Sequence, residues 1–83
     1  MTPTEAALAP IWAEILRRDR IAPGDDFFEL GGSSLHAVRM AALVYEQLGL
    51  EVPLQRLFET RTLAAFARAL DESGTGAVEE GVI

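Results

Sequence analysis

Apolar residues recur at helical spacing in three separate stretches of this chain, divided by segments in which the rhythm fails. In the first, Leu8, Ile11, Trp12, Ile15 and Leu16 follow the i, i+3, i+4 pattern of one helix face. Thr2, Pro3 and Glu5 ahead of them form a helix-start signal. The threonine hydroxyl accepts the N–H three residues on, the proline stands where a donor is not missed, and the carboxylate reaches back to the cap. The spacing predicts a helix from Pro3, with Arg17 and Arg18 as cations offsetting its negative end. Pro10 falls inside it, removes one donor and crowds the preceding turn. A bend is therefore expected there, with the apolar register carried across it.

From Asp19 to Ser33 no period survives. Pro23, Gly24, Gly31 and Gly32 punctuate the segment, yet it also holds Ile21, Phe27, Phe28 and Leu30. That much apolar surface predicts a long loop pinned to the core, with Asp25 or Asp26 capping one helical turn through Glu29. The second periodic stretch predicts a helix from Ser33 or Ser34 to Leu48, ended by Gly49 in the left-handed conformation. Glu51, Val52 and Pro53 form a connector, and Pro53 suits the first position of a short helix carrying Leu54, Leu57 and Phe58. Thr62 is then the cap of a last helix whose Leu63, Phe66, Ala67 and Leu70 share one stripe. Beyond Asp71 the composition of small and acidic residues predicts a mobile tail over 73–83. The expected fold is all-α, a bundle of three main helices and a short third one, occupying residues 2–72, with a long loop between the first two helices. The Phe27, Phe28 and Leu57, Phe58 pairs are assigned to its core.

The second helix carries two apolar faces rather than one. With Ser34 at zero and about 100° per residue, Ala37, Met40, Ala41, Val44 and Leu48 fall in one sector from about 240° to 340°, the expected core face. Tyr45, Val38, Ala42 and Leu35 lie beside Ser34 instead, where a solvated helix is ordinarily charged. They read either as a docking patch around Ser34 with Arg39 on its rim, or as a wider core contact that buries Val38 or Tyr45 under the loop. Leu43 lies on neither face.

Length and composition narrow the possible functions. A chain of 83 residues makes one small domain, and with no cysteine its stability must come from packing a 49% apolar composition. The same absence excludes thiolate metal sites and a cysteine nucleophile. A net charge of −6, with arginine as the only strong base, argues against nucleic acid as a partner. No run approaches the roughly 18 apolar residues of a membrane span, and no basic leader precedes an apolar run. The expectation is a monomeric, soluble, cytoplasmic protein with no membrane partner. Met1 directly before the helix-start signal further suggests a free-standing domain, although a fragment given an added start would look the same.

The chemistry concentrates in Asp25, Asp26, Phe27, Phe28, Glu29, Leu30, Gly31, Gly32, Ser33, Ser34 and Leu35. A loop with aromatic anchors ends in two glycines and delivers a serine to the first turn of a helix. There the glycines allow close approach, and the free N–H groups and positive dipole end favour a phosphate ester. A Gly-Gly turn followed by a serine cap is also an ordinary way to begin a helix. Hydrolysis fits poorly. A nucleophile elbow needs glycine two residues on either side of the serine; Gly32 satisfies one side, but the other position is His36. His36 lies about 200° around the helix from Ser34, too far to take its proton, and reads as a solvated surface residue.

The run DDFFELGGSSL resembles the phosphopantetheine-attachment motif of peptidyl carrier proteins, the thiolation domains of nonribosomal peptide synthetases. The resemblance extends from the opening Thr-Pro-Thr-Glu through the Trp12 helix and the Val-Pro-Leu connector to Thr62-Leu63, about residues 2–72. It implies a right-handed four-helix bundle of the acyl carrier protein type. It also implies that the serine before the leucine, Ser34 rather than Ser33, carries 4'-phosphopantetheine derived from coenzyme A, with Gly31, Gly32, Ser33 and Leu35 as flanking motif. Aspartate at the position of Ser33 is typical of fatty-acid, polyketide and aryl carriers, so its absence favours peptide synthesis. The implied partners are a phosphopantetheinyl transferase, an adenylation enzyme that loads an aminoacyl group as a thioester, and condensation, thioesterase or tailoring enzymes. Catalysis would belong to those partners. An acyl or aryl carrier, and a helical interaction module without cofactor, are the alternatives.

Overall fold

Four helices form in the order the pattern predicts: α1 (Pro3–Leu16), α2 (Ser34–Leu48), α3 (Leu54–Thr60) and α4 (Leu63–Glu80), with no strand among the described residues. The computed structural model describes the backbone of residues 1–80 and the side chains of residues 1–72. The tail expected over 73–83 lies outside the described side chains, and its last three positions lie outside the description altogether.

Each helix start follows from its local sequence. Thr2 caps α1 through Oγ1, which accepts the Glu5 N–H at 3.1 Å, while Glu5 Oε1 accepts the Thr2 N–H at 3.0 Å. Thr62 Oγ1 accepts the Ala65 N–H at 3.2 Å and so caps α4. Pro10 stays within an unbroken α1. Its residue register is the expected one. Arg17 is not part of the last turn; it is the C-cap itself, in the left-handed conformation at φ 57°. Arg18 follows it and donates through Nη2 to the carbonyl of Leu30 at 3.2 Å, so it ties the loop instead of neutralising the helix end. Pro53 likewise stands one place earlier than expected, as the N-cap of α3.

The core is built from facing stripes. Leu8, Ile11, Trp12 and Leu16 of α1 meet Ala37, Met40 and Val44 of α2, Leu57 of α3, and Leu63, Phe66, Ala67 and Leu70 of α4, joined by Ile21 and Phe27 from the loop. Trp12 sits at the centre. Phe27 packs against its indole at 4.9 Å with the rings at 78°, and Phe66 lies 5.9 Å away. The Trp12 N–H is buried and has no hydrogen-bond partner among the described residues. Leu43, which belonged to neither face of α2, is half-buried and packs against this cluster. Phe58 departs from expectation. It is 46% exposed and stacks on the half-buried Phe28, rings 15° apart with centroids at 5.3 Å, so that pair lines the surface above the core. α3 is only two turns long, and burying Leu57 leaves the adjacent Phe58 pointing away.

Candidate functional site

The long loop between α1 and α2 sets the position of Ser34, and the Asp26 carboxylate is the centre of the contacts that order it. Asp26 Oδ1 accepts the N–H groups of Phe28 at 2.8 Å and Glu29 at 3.0 Å, and its carbonyl accepts the Leu30 N–H at 3.1 Å, so that Asp26, of the two candidate aspartates, caps the single turn expected through Glu29. Its Oδ2 meets Arg61 Nε at 2.9 Å. Burial by itself would raise the Asp26 carboxyl. The hydrogen bonds from Arg61, Glu29 and Phe28 and the Arg61 charge outweigh that effect and hold it below its ordinary value. Backbone bonds repeat the tie: Phe27 N–H to the Arg61 carbonyl at 2.9 Å, Leu63 N–H to that of Asp25 at 3.1 Å, and Ala64 N–H to that of Pro23 at 2.9 Å. Arg61 lies over the Phe28 ring at 5.1 Å, so the same side chain holds the loop by charge and by its flat face. The loop is thus clamped to the α3–α4 junction.

Between this clamp and α2 the two glycines do different work. Gly31 takes φ 98°, open to glycine and strained for other residues. Gly32 lies against Phe27. A Cβ there would collide with the Phe27 ring and stand 2.7 Å from its carbonyl oxygen. The chain needs this close approach to turn from a buried aromatic into an exposed helix start within a few residues.

The two adjacent serines then differ completely. Ser33 is the N-cap: its Oγ accepts the His36 N–H at 3.3 Å and lies 2.8 Å from His36 Nδ1, which also accepts the Ser33 N–H at 3.0 Å. Ser34 is the first residue of α2. It is exposed, and its hydroxyl has no hydrogen-bond partner among the described residues. His36 is therefore half-buried and engaged rather than solvated, and it completes a capping box with Ser33. The spacing Ser-x-x-His carried that signal, but it is easily passed over because capping boxes are ordinarily recognised by glutamate or glutamine at the third position.

Around Ser34, Leu35 is 67%, Val38 52% and Tyr45 59% exposed, and Ala42 and Arg39 are exposed too. The core-contact alternative for Val38 and Tyr45 fails, because the loop is drawn toward α3 and α4 by Asp26 and Arg61 and leaves this face uncovered. Beside it runs an open groove of about 380 Å³ between the end of α1 and the start of α2, lined by Glu14, Ile15, Arg17, Leu35, His36 and Arg39. Sequence periodicity could not show this groove, because it depends on where α1 ends relative to α2. Among the described residues no cluster of potential metal ligands occurs, and no helix is long and apolar enough to cross a membrane.

This arrangement suits an attached phosphate ester: an exposed, unengaged hydroxyl at the positive end of a helix, approached over glycines. Comparison with known proteins agrees. The family model described as "Phosphopantetheine attachment site" matches residues 6–70, and the chain belongs to that family, whose cofactor is 4'-phosphopantetheine. It is 47% identical over 76 residues to malpibaldin synthetase of Mortierella alpina, covering 92% of this chain and 1% of that protein's length. Among solved structures, it matches BlmI, a type-II acyl carrier protein from Streptomyces verticillus involved in bleomycin biosynthesis, with a TM-score of 0.77, 38% identity and 84% of each chain covered. It matches the peptidyl carrier protein solved with the phosphopantetheine transferase Sfp and coenzyme A with a TM-score of 0.79 and 35% identity, covering 87% of this chain and 94% of that one. The fold is that of the acyl and peptidyl carrier proteins.

Proposed function

We propose that this chain is a peptidyl carrier of nonribosomal peptide biosynthesis in the cytoplasm, without catalytic activity of its own, in which Ser34 bears the 4'-phosphopantetheine arm. The observation that carries the assignment to Ser34 is the contrast between the two serines: Ser33 is consumed in capping α2, and Ser34 is exposed with a free hydroxyl. In the attachment step the Ser34 oxygen forms a bond to the phosphorus bearing the pantetheine of coenzyme A. The diphosphate bond of coenzyme A breaks, adenosine 3',5'-bisphosphate leaves, and the serine proton passes to solvent or to a base of the transferase. When bound, the arm supplies a terminal thiol that holds an aminoacyl or peptidyl group as a thioester. The protein's own residues present the attachment point, clamp the loop through Asp26 and Arg61, and offer Leu35, Val38, Ala42 and Tyr45, rimmed by Arg39, as the face on which the transferase and an adenylation enzyme dock. Condensation, thioesterase or tailoring enzymes are the later partners. The carrier unit spans residues 2–72.

Incubation with coenzyme A and a broad-specificity phosphopantetheinyl transferase should add about 340 Da, a covalent modification read directly by intact mass. Ser34→Ala should abolish the addition. An unchanged mass in the parent chain, or modification that persists in that variant, contradicts the assignment. The likeness to a type-II acyl carrier supports an acyl or aryl carrier as the second reading. The activating enzyme that loads the modified form, whether for an amino acid or for another acyl group, separates the two.

A further inference from the structure

We infer that His36 is a positioning residue for the modification of Ser34, acting through Ser33 to select which of two neighbouring hydroxyls is presented. The inference rests on Ser34 being the attachment serine. His36 Nδ1 accepts the backbone N–H of Ser33 at 3.0 Å and lies 2.8 Å from the Ser33 hydroxyl oxygen, while Ser33 Oγ accepts the His36 N–H at 3.3 Å. These contacts close a ring over the first turn of α2. They fix Ser33 in extended geometry at φ −115° and ψ 179°, which makes the exposed Ser34 the first residue with helical geometry. Ser33 directly follows the glycine pair. Without the box, the register of the helix start is held only by backbone bonds, and α2 can begin one residue earlier or fray by one residue. Fraying swings the Ser34 hydroxyl away from the docking face formed by Leu35, Val38 and Tyr45, and an earlier start brings the Ser33 hydroxyl into the first turn as a second exposed candidate.

The close approach of the Ser33 hydroxyl to an imidazole nitrogen is not an activated nucleophile. The same nitrogen is shared with the Ser33 N–H, and among the described residues no carboxylate hydrogen-bonds to His36 to orient it as a base. The contact restrains. It does not prepare Ser33 for attack.

The test uses the full chain with coenzyme A and a phosphopantetheinyl transferase, measuring kcat/KM by intact mass and the modified residue by fragmentation. His36→Leu removes the acceptor and should lower kcat/KM about three- to tenfold, the scale of one or two lost hydrogen bonds. His36→Gln, which supplies the side chain ordinarily found at the third position of a capping box, should restore it. Ser33→Ala should lower it to the same extent as His36→Leu, and the double variant no further, because both remove one device. Thr2→Ala, which breaks the corresponding box of α1, serves as a control that loses stability without touching α2, and should retain the parent rate. A parent rate in His36→Leu, a His36→Gln variant as slow as His36→Leu, or equal slowing by Thr2→Ala overturns the inference. Should His36→Leu not fold, Ser33→Ala against Thr2→Ala decides alone. Failure of the underlying assignment is distinguishable, since there the parent chain itself is unmodified or modified away from Ser34.

Discussion

At the scale of single residues, the site depends on a glycine that sequence motifs mark only as part of a pair. Gly31 supplies a left-handed turn, but Gly32 is needed because Phe27 already fills the space its side chain would take. Phe27 cannot yield, being fully buried against Trp12. Gly32→Ala should therefore destabilise the fold by about 1–3 kcal/mol, the cost of overpacking a filled core, seen as a lower midpoint in denaturant unfolding. An unchanged midpoint would mean that the Phe27 ring can move aside. The substitution should also slow modification of Ser34, since the collision lies two residues upstream of it. The contrast between Ser33 and Ser34 belongs to the same scale. The family resemblance selected Ser34 by pattern alone, and the hydrogen bonds of Ser33 supply a physical reason for that choice.

At the scale of elements, the helices were legible, as were the apolar anchors of the loop and its aspartate cap, but not the place where the loop is tied. Thr2, Thr62 and Gly49 bound their helices through local chemistry that any reading of the chain can find, and the stripes Leu8 to Leu16 and Leu63 to Leu70 bury as their spacing requires. What holds the loop is a contact across 35 positions, from Asp26 to Arg61, and no periodicity encodes it. The same blindness hid the exposure of Phe58, which follows from the partner it meets, Phe28, and from the shortness of α3. The Asp26 clamp has a pH signature. Its carboxyl is held below its ordinary value of 3.8 in the fold, so ionised Asp26 stabilises the folded chain at all pH values above that value. The contribution fades as pH falls through the lower, folded value. Asp26→Asn should thus be less stable than the parent at neutral pH, and the gap should narrow below about pH 4. Unfolding midpoints measured from neutral pH down into the acid range check this; a gap independent of pH would show that the charge on Asp26 contributes nothing to the clamp.

At the scale of the whole molecule, the question is how a chain this small leaves an apolar face exposed beside Ser34 and still closes a core. The division runs along α2. Ala37, Met40 and Val44 are wholly buried, whereas Leu35, Val38 and Tyr45, set off from them around the same helix, remain exposed beside Ser34. The angular pattern in the sequence separated the two faces, but whether the second face was covered depended on where the loop is tied. Because Asp26 and Arg61 draw the loop to the α3–α4 junction, the face stays open. Stability and recognition should accordingly separate by residue. Leu57→Ala removes a fully buried side chain and should cost about 2–5 kcal/mol, as large-to-small core changes do. Val38→Glu and Tyr45→Glu replace exposed side chains and should shift stability by no more than about 0.5 kcal/mol, as surface substitutions do. Their effect should fall instead on encounters: each puts a carboxylate at the centre of a face whose partners must bury it, so modification by the transferase and loading by the adenylation enzyme should both drop, mainly through KM. Thermal melts of the four proteins beside their modification kinetics check the separation. A large loss of stability in the glutamate variants with unchanged kinetics would return Val38 and Tyr45 to the core and leave the docking of partners to another surface.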